Sequence, residues 1–222
     1  MKKIYQAVKS KNIQIKHVCE VGVYLPETSN VIDFIKDNVK TTLVEADPVI
    51  IEKIKNYFAD RKNIELVPVA VWDTNGTLQF SKAQSSTFAT EIGNSPAVVN
   101  DKFKVEEHET FEVPCKVFSE IDAGDIDLLS VDTEGCEWYV IKHLKSKPKV
   151  ISIETHGKFY VNPFIKEIEA WTNTNGYVVW YKDGSDTVFV QNSIYTPSFL
   201  DKLSLWWRNF RLAARRLKKH FR

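Results

Sequence analysis

The segment Leu128-Leu-Ser-Val-Asp-Thr-Glu-Gly-Cys-Glu-Trp138 carries an apolar run into three carboxylates, Asp132, Glu134 and Glu137. Further on, Lys149 to Ile153 leads into Glu154-Thr-His156. Each reads as a buried strand that stops at a polar edge. Open α/β sheets bind ligands at the carboxyl ends of their strands, so these residues stand where chemistry would take place. A carboxylate or imidazole there can hold a substrate group and take up one proton. Asp132 is the first candidate for that work, followed by Glu134, Glu154 and His156. Converging oxygens could also hold a hard divalent cation. Carboxylate clusters are common without one, and no metal is expected. Plainer readings stay open beside these. Acids are favoured at a helix N-terminus, which suits Glu134 and Glu137, and Asp132 could cap that helix. His156 could be a satisfied residue at a strand end.

A second set of residues suits a cofactor. Glu20-Val-Gly22 ends one apolar run, and the glycine lets the chain turn closely past a ligand. Thr42 to Ala46 ends another, with Glu45 lying 23 residues beyond Gly22. At about that interval an acid hydrogen-bonds the ribose hydroxyls in nucleotide-binding α/β sheets. Val23 to Ser29 supplies no further glycine, so the fingerprint of a pyrophosphate-bearing dinucleotide is missing. A cofactor with a ribose and no phosphate, such as S-adenosylmethionine, fits better. Trp72 could stack on an adenine, although a large aromatic after a strand is more often core.

The elements that must position these groups alternate. Strands are predicted at 17–23, 42–46, 64–71, 127–131 and 149–153. Helical spacing follows at 30–39, from Pro48 through Phe58, through Trp138, Ile141 and Leu144, and through Ile165, Ile168 and Trp171. Asn75-Gly76 marks a turn into 77–80, predicted as a hairpin, and 111–117 reads as a further strand. Residues 177–181 and 187–190 form a terminal antiparallel hairpin. This pattern predicts an α/β domain with a Rossmann-like, seven-stranded, mostly parallel sheet over residues 1–194. Residues 81–109 are polar and aperiodic, a long connection where acceptor selectivity or a lid would reside.

Composition narrows the class. In 222 residues, 43% are hydrophobic and 27% charged, as in an ordinary globular chain. Cys19, Cys115 and Cys136 show no metal-binding spacing and suit free thiols in a reducing compartment. No leader-like or membrane-spanning run is seen, and the expected location is cytoplasmic. Residues 199–222 hold eight basic residues and one acid, a net +7, leaving 22 basic against 28 acidic residues elsewhere. The acidic body argues against nucleic acid as a partner. Leu203, Trp206, Trp207, Phe210, Ala214, Leu217 and Phe221 recur at helical spacing, with Arg208, Arg211, Arg215, Lys218, Lys219 and Arg222 assigned to the opposite surface. Residues 195–222 are therefore predicted as a basic amphipathic helix lying on an anionic membrane, peripheral on its inner face. Packing onto the domain or an oligomer partner is the alternative.

In order along the chain, Glu20-Val-Gly22, Leu25-Pro-Glu-Thr-Ser-Asn30, Val44-Glu45 with Pro48, Asn63 to Gly76 with Ala70, Asp73 and Gly76, Ser85-Ser-Thr87, Asp127 to Glu137 and Ile153-Glu-Thr-His156 resemble the motifs of FkbM-type methyltransferases. Val23, Tyr24 and Ser130 depart from that pattern. The resemblance implies a class I S-adenosylmethionine enzyme that methylates a hydroxyl of a sugar, glycan or secondary metabolite. It implies a cofactor site built from Glu20, Gly22, Pro26, Ser29, Asn30, Glu45, Ala46, Ala70, Val71 and Asp132. The alternative is a non-catalytic relative, held to a membrane or partner by its C-terminal helix, whose altered first loop has lost the cofactor.

Overall fold

The computed structural model describes residues 1–82, 87–89, 110–157 and 160–220. The fold is the predicted α/β arrangement. Strands β1 (His17–Val21), β2 (Lys40–Val44), β3 (Ile64–Val67), β8 (Leu128–Val131) and β9 (Val150–Glu154) are all parallel. The antiparallel pair β10 (Tyr177–Asp183) and β11 (Asp186–Gln191) completes a seven-stranded sheet ordered β10-β11-β9-β8-β1-β2-β3. The order reverses between β1 and β8, so the carboxyl ends of these two strands frame the ligand crevice.

The sheet is covered on both sides: β1, β8 and β9 are buried at every position and largely apolar, and successive side chains point to opposite faces. Val18, Leu128 and Val150 share one register across β1, β8 and β9; Cys19, Leu129 and Ile151 share the next. The first row packs with Ile4 and Val8 of α1 (Lys3–Ser10), Phe34 and Ile35 of α2 (Ile32–Lys36) and Ile54 of α3 (Pro48–Tyr57). The second packs with Val140 and Ile141 of α4 (Glu137–Ile141) and Ile168 of α5 (Ile165–Thr174).

Several elements differ from the sequence expectation. The third strand does not run unbroken from 64 to 71. Pro68 has no N–H to give the ladder, and the chain leaves the main sheet after Val67 to form β4 (Ala70–Val71) in a second sheet. There β5 (Gly76–Lys82) pairs with β7 (Thr110–Lys116) and β6 (Thr87–Ala89), not with β4. The helices predicted at 30–39 and 138–144 shorten to α2 and α4. Helix α1 was not signalled by a cap or by a long apolar pattern. Most of the connection 81–109, with Ser85 of its short motif, lies outside the described residues.

The C-terminal helix α6 (Phe199–His220) forms as predicted. Its start is a capping box: Ser198 Oγ accepts from Asp201 N at 3.2 Å, and Asp201 Oδ2 accepts from Ser198 N at 2.8 Å. It packs against β10. Arg208 does not lie on a free surface; its guanidinium donates to the Gly184 carbonyl at 2.9 Å. Among the described residues no helix is long and apolar enough to cross a membrane.

Leu129 sits fully buried in the centre of β8. Leu129→Ala is expected to cost about 2–5 kcal/mol of stability, read from the urea midpoint at unchanged m. A loss under about 1 kcal/mol would contradict this packing.

Candidate active site

Strand β1 ends at Gly22, whose φ of +84° turns the chain across the end of β8. A Cβ at this position would overlap the Asp132 carbonyl oxygen, so only glycine permits the crossing. Backbone bonds fix it: Gly22 N donates to Val44 O and Asp132 N to Val21 O, both at 2.9 Å. The ends of β1, β2 and β8 thereby meet around a cavity of about 370 Å3, within the range of small-molecule sites.

Six of the predicted cofactor residues line it: Gly22, Glu45, Ala46, Ala70, Val71 and Asp132. Glu45 is held by three backbone donors. Its Oε2 accepts from Val23 N, and its Oε1 accepts from Ala46 N and Asp47 N, each at 2.8 Å. Burial pushes its pKa up to about 7 against the opposing pull of those bonds. Trp72, Leu78 and Phe80 add apolar wall; of these the sequence reading had weighed Trp72 alone, and had favoured the core for it. The signal for Trp72 was its place after Val71. Its ring lies 4.5 Å, centroid to centroid, from that of Tyr139.

The other four predicted cofactor residues do not line this cavity. Glu20 is buried beneath the first loop. It accepts from Ser29 Oγ at 2.5 Å and from Asn30 N at 2.7 Å. Pro26 opens a short 3-10 turn and is buried. Glu20, Ser29 and Asn30 thus brace the loop that carries Val23 and Tyr24 along the cavity. Burial raises the Glu20 pKa while both bonds resist that rise.

The predicted reaction residues fall into two settings. Asp132 and Glu134 line the cavity, whereas Glu154 and His156 do not. Glu134 takes a left-handed φ of +54°, unusual for a residue with a side chain and characteristic of strained functional turns. The N-cap position of α4 is Cys136, so Asp132 does not cap that helix. One carboxylate oxygen each of Asp132, Glu137 and Glu154 lies within 4.8 Å of the others. Glu137, read from sequence as a helix-end acid, is fully buried. Its Oε1 accepts from Thr133 N at 2.9 Å and Gly135 N at 3.1 Å, so it also holds the turn. Its Oε2 accepts from Asn162 Nδ2 at 2.5 Å.

Burial and neighbouring negative charge raise these pKa values. Asp132 lies well above its ordinary range, through burial first and then Asp186, Glu134 and Glu137. Glu154 is pushed up to about 11, through burial and then Asp132 and Glu137. Burial takes Glu137 up to about 7. His156 is buried, with Nδ1 3.0 Å from Thr155 Oγ1. Asn162 and Tyr160, also buried at this cluster, had no motif to mark them.

The Methyltransferase FkbM domain model matches residues 20–179. No curated protein sequence matches the chain. Solved structures similar in fold include the methyltransferase domain of bacterial CtHen1, at 17% identity and TM-score 0.44 over 84% of this chain and 94% of that one. Precorrin-6y C5,15-methyltransferase from Geobacter metallireducens is 11% identical at TM-score 0.43 over 85% and 87%. A SAM dependent methyltransferase from Aquifex aeolicus is 10% identical at TM-score 0.44 over 85% and 88%. The family match spans the cavity and the acidic cluster together, from Glu20 through Val179. The chain belongs to the FkbM methyltransferase family.

Proposed function

We propose that the protein is an S-adenosylmethionine-dependent O-methyltransferase whose acceptor is a hydroxyl of a sugar, glycan or secondary metabolite. The observation that carries the reading is the position of Asp132, which borders both the cavity and the carboxylate cluster. The cavity fits the cofactor. Ala46, Ala70 and Val71 offer apolar wall for an adenine, and Glu45 stands where a ribose would be held. When bound, S-adenosylmethionine supplies a methyl carbon on a cationic sulfur. Asp132 holds the acceptor hydroxyl beside the cavity and takes its proton. A carboxylate whose pKa is raised by burial is a better base than a free one, provided it is ionised when the acceptor arrives. The sequence resemblance supports a glycan or metabolite hydroxyl as the acceptor.

Asp132→Asn is expected to keep S-adenosylmethionine binding by calorimetry while transfer falls by about 10²–10⁴-fold. Near-normal turnover in that variant would remove Asp132 from the reaction. Absence of cofactor binding by the folded wild-type chain would restore the non-catalytic reading.

Glu45 gives the cofactor site a pH dependence. Ribose hydroxyls donate to an ionised carboxylate, so binding selects the form that exists above about 7. Affinity for S-adenosylhomocysteine is therefore expected to be roughly tenfold weaker at pH 6 than at pH 8. Glu45→Gln should flatten that profile, and a flat profile in the wild type would separate Glu45 from the ribose.

A membrane surface as the place of action is supported by the face that α6 leaves exposed. The half-buried residues Asp201, Leu205, Arg208 and Leu212 recur at helical spacing and mark the side turned to the domain. Leu203, Trp206, Trp207 and Phe210 lie roughly opposite, each more than 40% exposed. An outward aromatic stripe in a segment of net charge +7 suits anionic headgroups. The chain should co-sediment with phosphatidylglycerol-containing vesicles and not with phosphatidylcholine alone. Equal binding by a chain ending at Pro197 would count against this role.

A further inference from the structure

The carboxylate cluster draws on three separate elements: Asp132 follows β8, Glu137 opens α4 and Glu154 closes β9. Glu137 and Glu154 are 0% and 8% exposed. Among the described residues, no Lys or Arg ion pair reaches any of the three. Like charges this close in a buried site cannot all stay ionised without a compensating positive charge.

The surroundings hold the oxygens in place without using up their lone pairs. Asn162 Nδ2 donates to Glu137 Oε2 at 2.5 Å and to the Glu154 carbonyl at 3.2 Å, tying the two acids together. Backbone N–H groups of Thr133 and Gly135 hold the other Glu137 oxygen. Glu154 Oε2 is buried with no hydrogen-bond partner, and so is the hydroxyl of Tyr160, which is 1% exposed. Burial first, and then the nearby charges of Glu137, Glu154 and Glu134, raise the Tyr160 pKa, which places its ring within reach of their field. Buried polar atoms without partners point to a ligand that would satisfy them.

We propose that Asp132, Glu137 and Glu154 bind one hard divalent cation of the Mg2+ or Mn2+ class. The donors are all oxygens, the set such ions prefer. Oxygens on an ion with bonds of about 2.1–2.4 Å stand roughly 3.0–4.8 Å apart, from adjacent to opposite positions, and these three lie within 4.8 Å of one another. Asp132 also faces the cavity, so the ion would lie beside the proposed acceptor. A hydroxyl bound to such an ion loses its proton more readily; one Asp132 oxygen would bind the ion and the other would remain to accept that proton. That role rests on the proposed methyl transfer, whereas the binding site does not.

The test is titration of the full-length chain with Mn2+, following the electron paramagnetic resonance signal of the free ion, with Mg2+ as competitor. The wild type is expected to bind one Mn2+ per chain and release it to Mg2+. Glu154→Gln and Asp132→Asn should each weaken Mn2+ binding at least tenfold while circular dichroism stays as in the wild type. Glu137 is left intact because it also supports its turn. No stoichiometric binding by the folded wild type would overturn the proposal, as would undiminished binding in both variants. Shared protons would then neutralise the cluster. Calorimetry with S-adenosylhomocysteine on the same samples separates a failed cation site from a failed cofactor cavity.

Discussion

Gly22 and Asp132 meet at the point where the strand order reverses, and the rest of the site follows from how closely the backbone passes there. The end of β1 lies on the Asp132 carbonyl with no room for a Cβ. That contact closes the cavity floor and sends Val23 toward Glu45, whose carboxylate accepts its N–H. It also fixes the direction in which Asp132 leaves β8, between the cavity on one side and the carboxylates of Glu137 and Glu154 on the other. A sheet edge that bound ligands without this crossing would have its two halves apart. Here one residue belongs to both.

Burying acids near this edge is costly unless each finds donors. The fold meets the cost in different ways at different acids. Glu20 has the first loop wrapped onto it through Ser29 and Asn30. Glu45 draws three N–H groups from its own turn and from the start of the first loop. Glu137 collects the amides of the Thr133–Gly135 turn and the amide of Asn162. These three are built into the scaffold. Asp132 and Glu154 are treated differently: negative neighbours add to burial, and the pKa of each rises strongly.

The sheet was legible because its central strands are apolar at both faces and end in polar residues, a pattern that burial imposes directly. His17–Val21, Leu128–Val131 and Val150–Glu154 were readable within two residues for this reason. The third strand was misread because Val67, Val69 and Val71 continue the apolar pattern across Pro68. A composition-based reading follows the side chains, whereas the break comes from a missing backbone donor. Glu45, Gly22 and Asp132 could be found from strand-end position alone. Glu20, Ser29 and Asn30 could be named from the motif, but their bracing role depends on a hydrogen-bond geometry that spacing does not encode. Tyr160 and Asn162 reach the acidic cluster only through the fold around the end of β9, and nothing local to them signals it.

The C-terminal helix shows the same limit from the other side. Its period was plain in the sequence, and Leu203, Trp206, Trp207 and Phe210 of the stripe share one exposed face. What the period could not give was which face would turn inward. In a free-standing amphipathic helix the aromatic stripe would be the face to bury. In this fold the domain takes the face of Asp201, Leu205, Arg208 and Leu212, anchored at one end by the Tyr195–Asp201 bond of 2.7 Å and further along by Arg208 on Gly184. Once those contacts are made, Trp206, Trp207 and Phe210 point away from the sheet. A helix that already packs on one side and still keeps three large aromatics exposed on the other has an apolar surface left to cover.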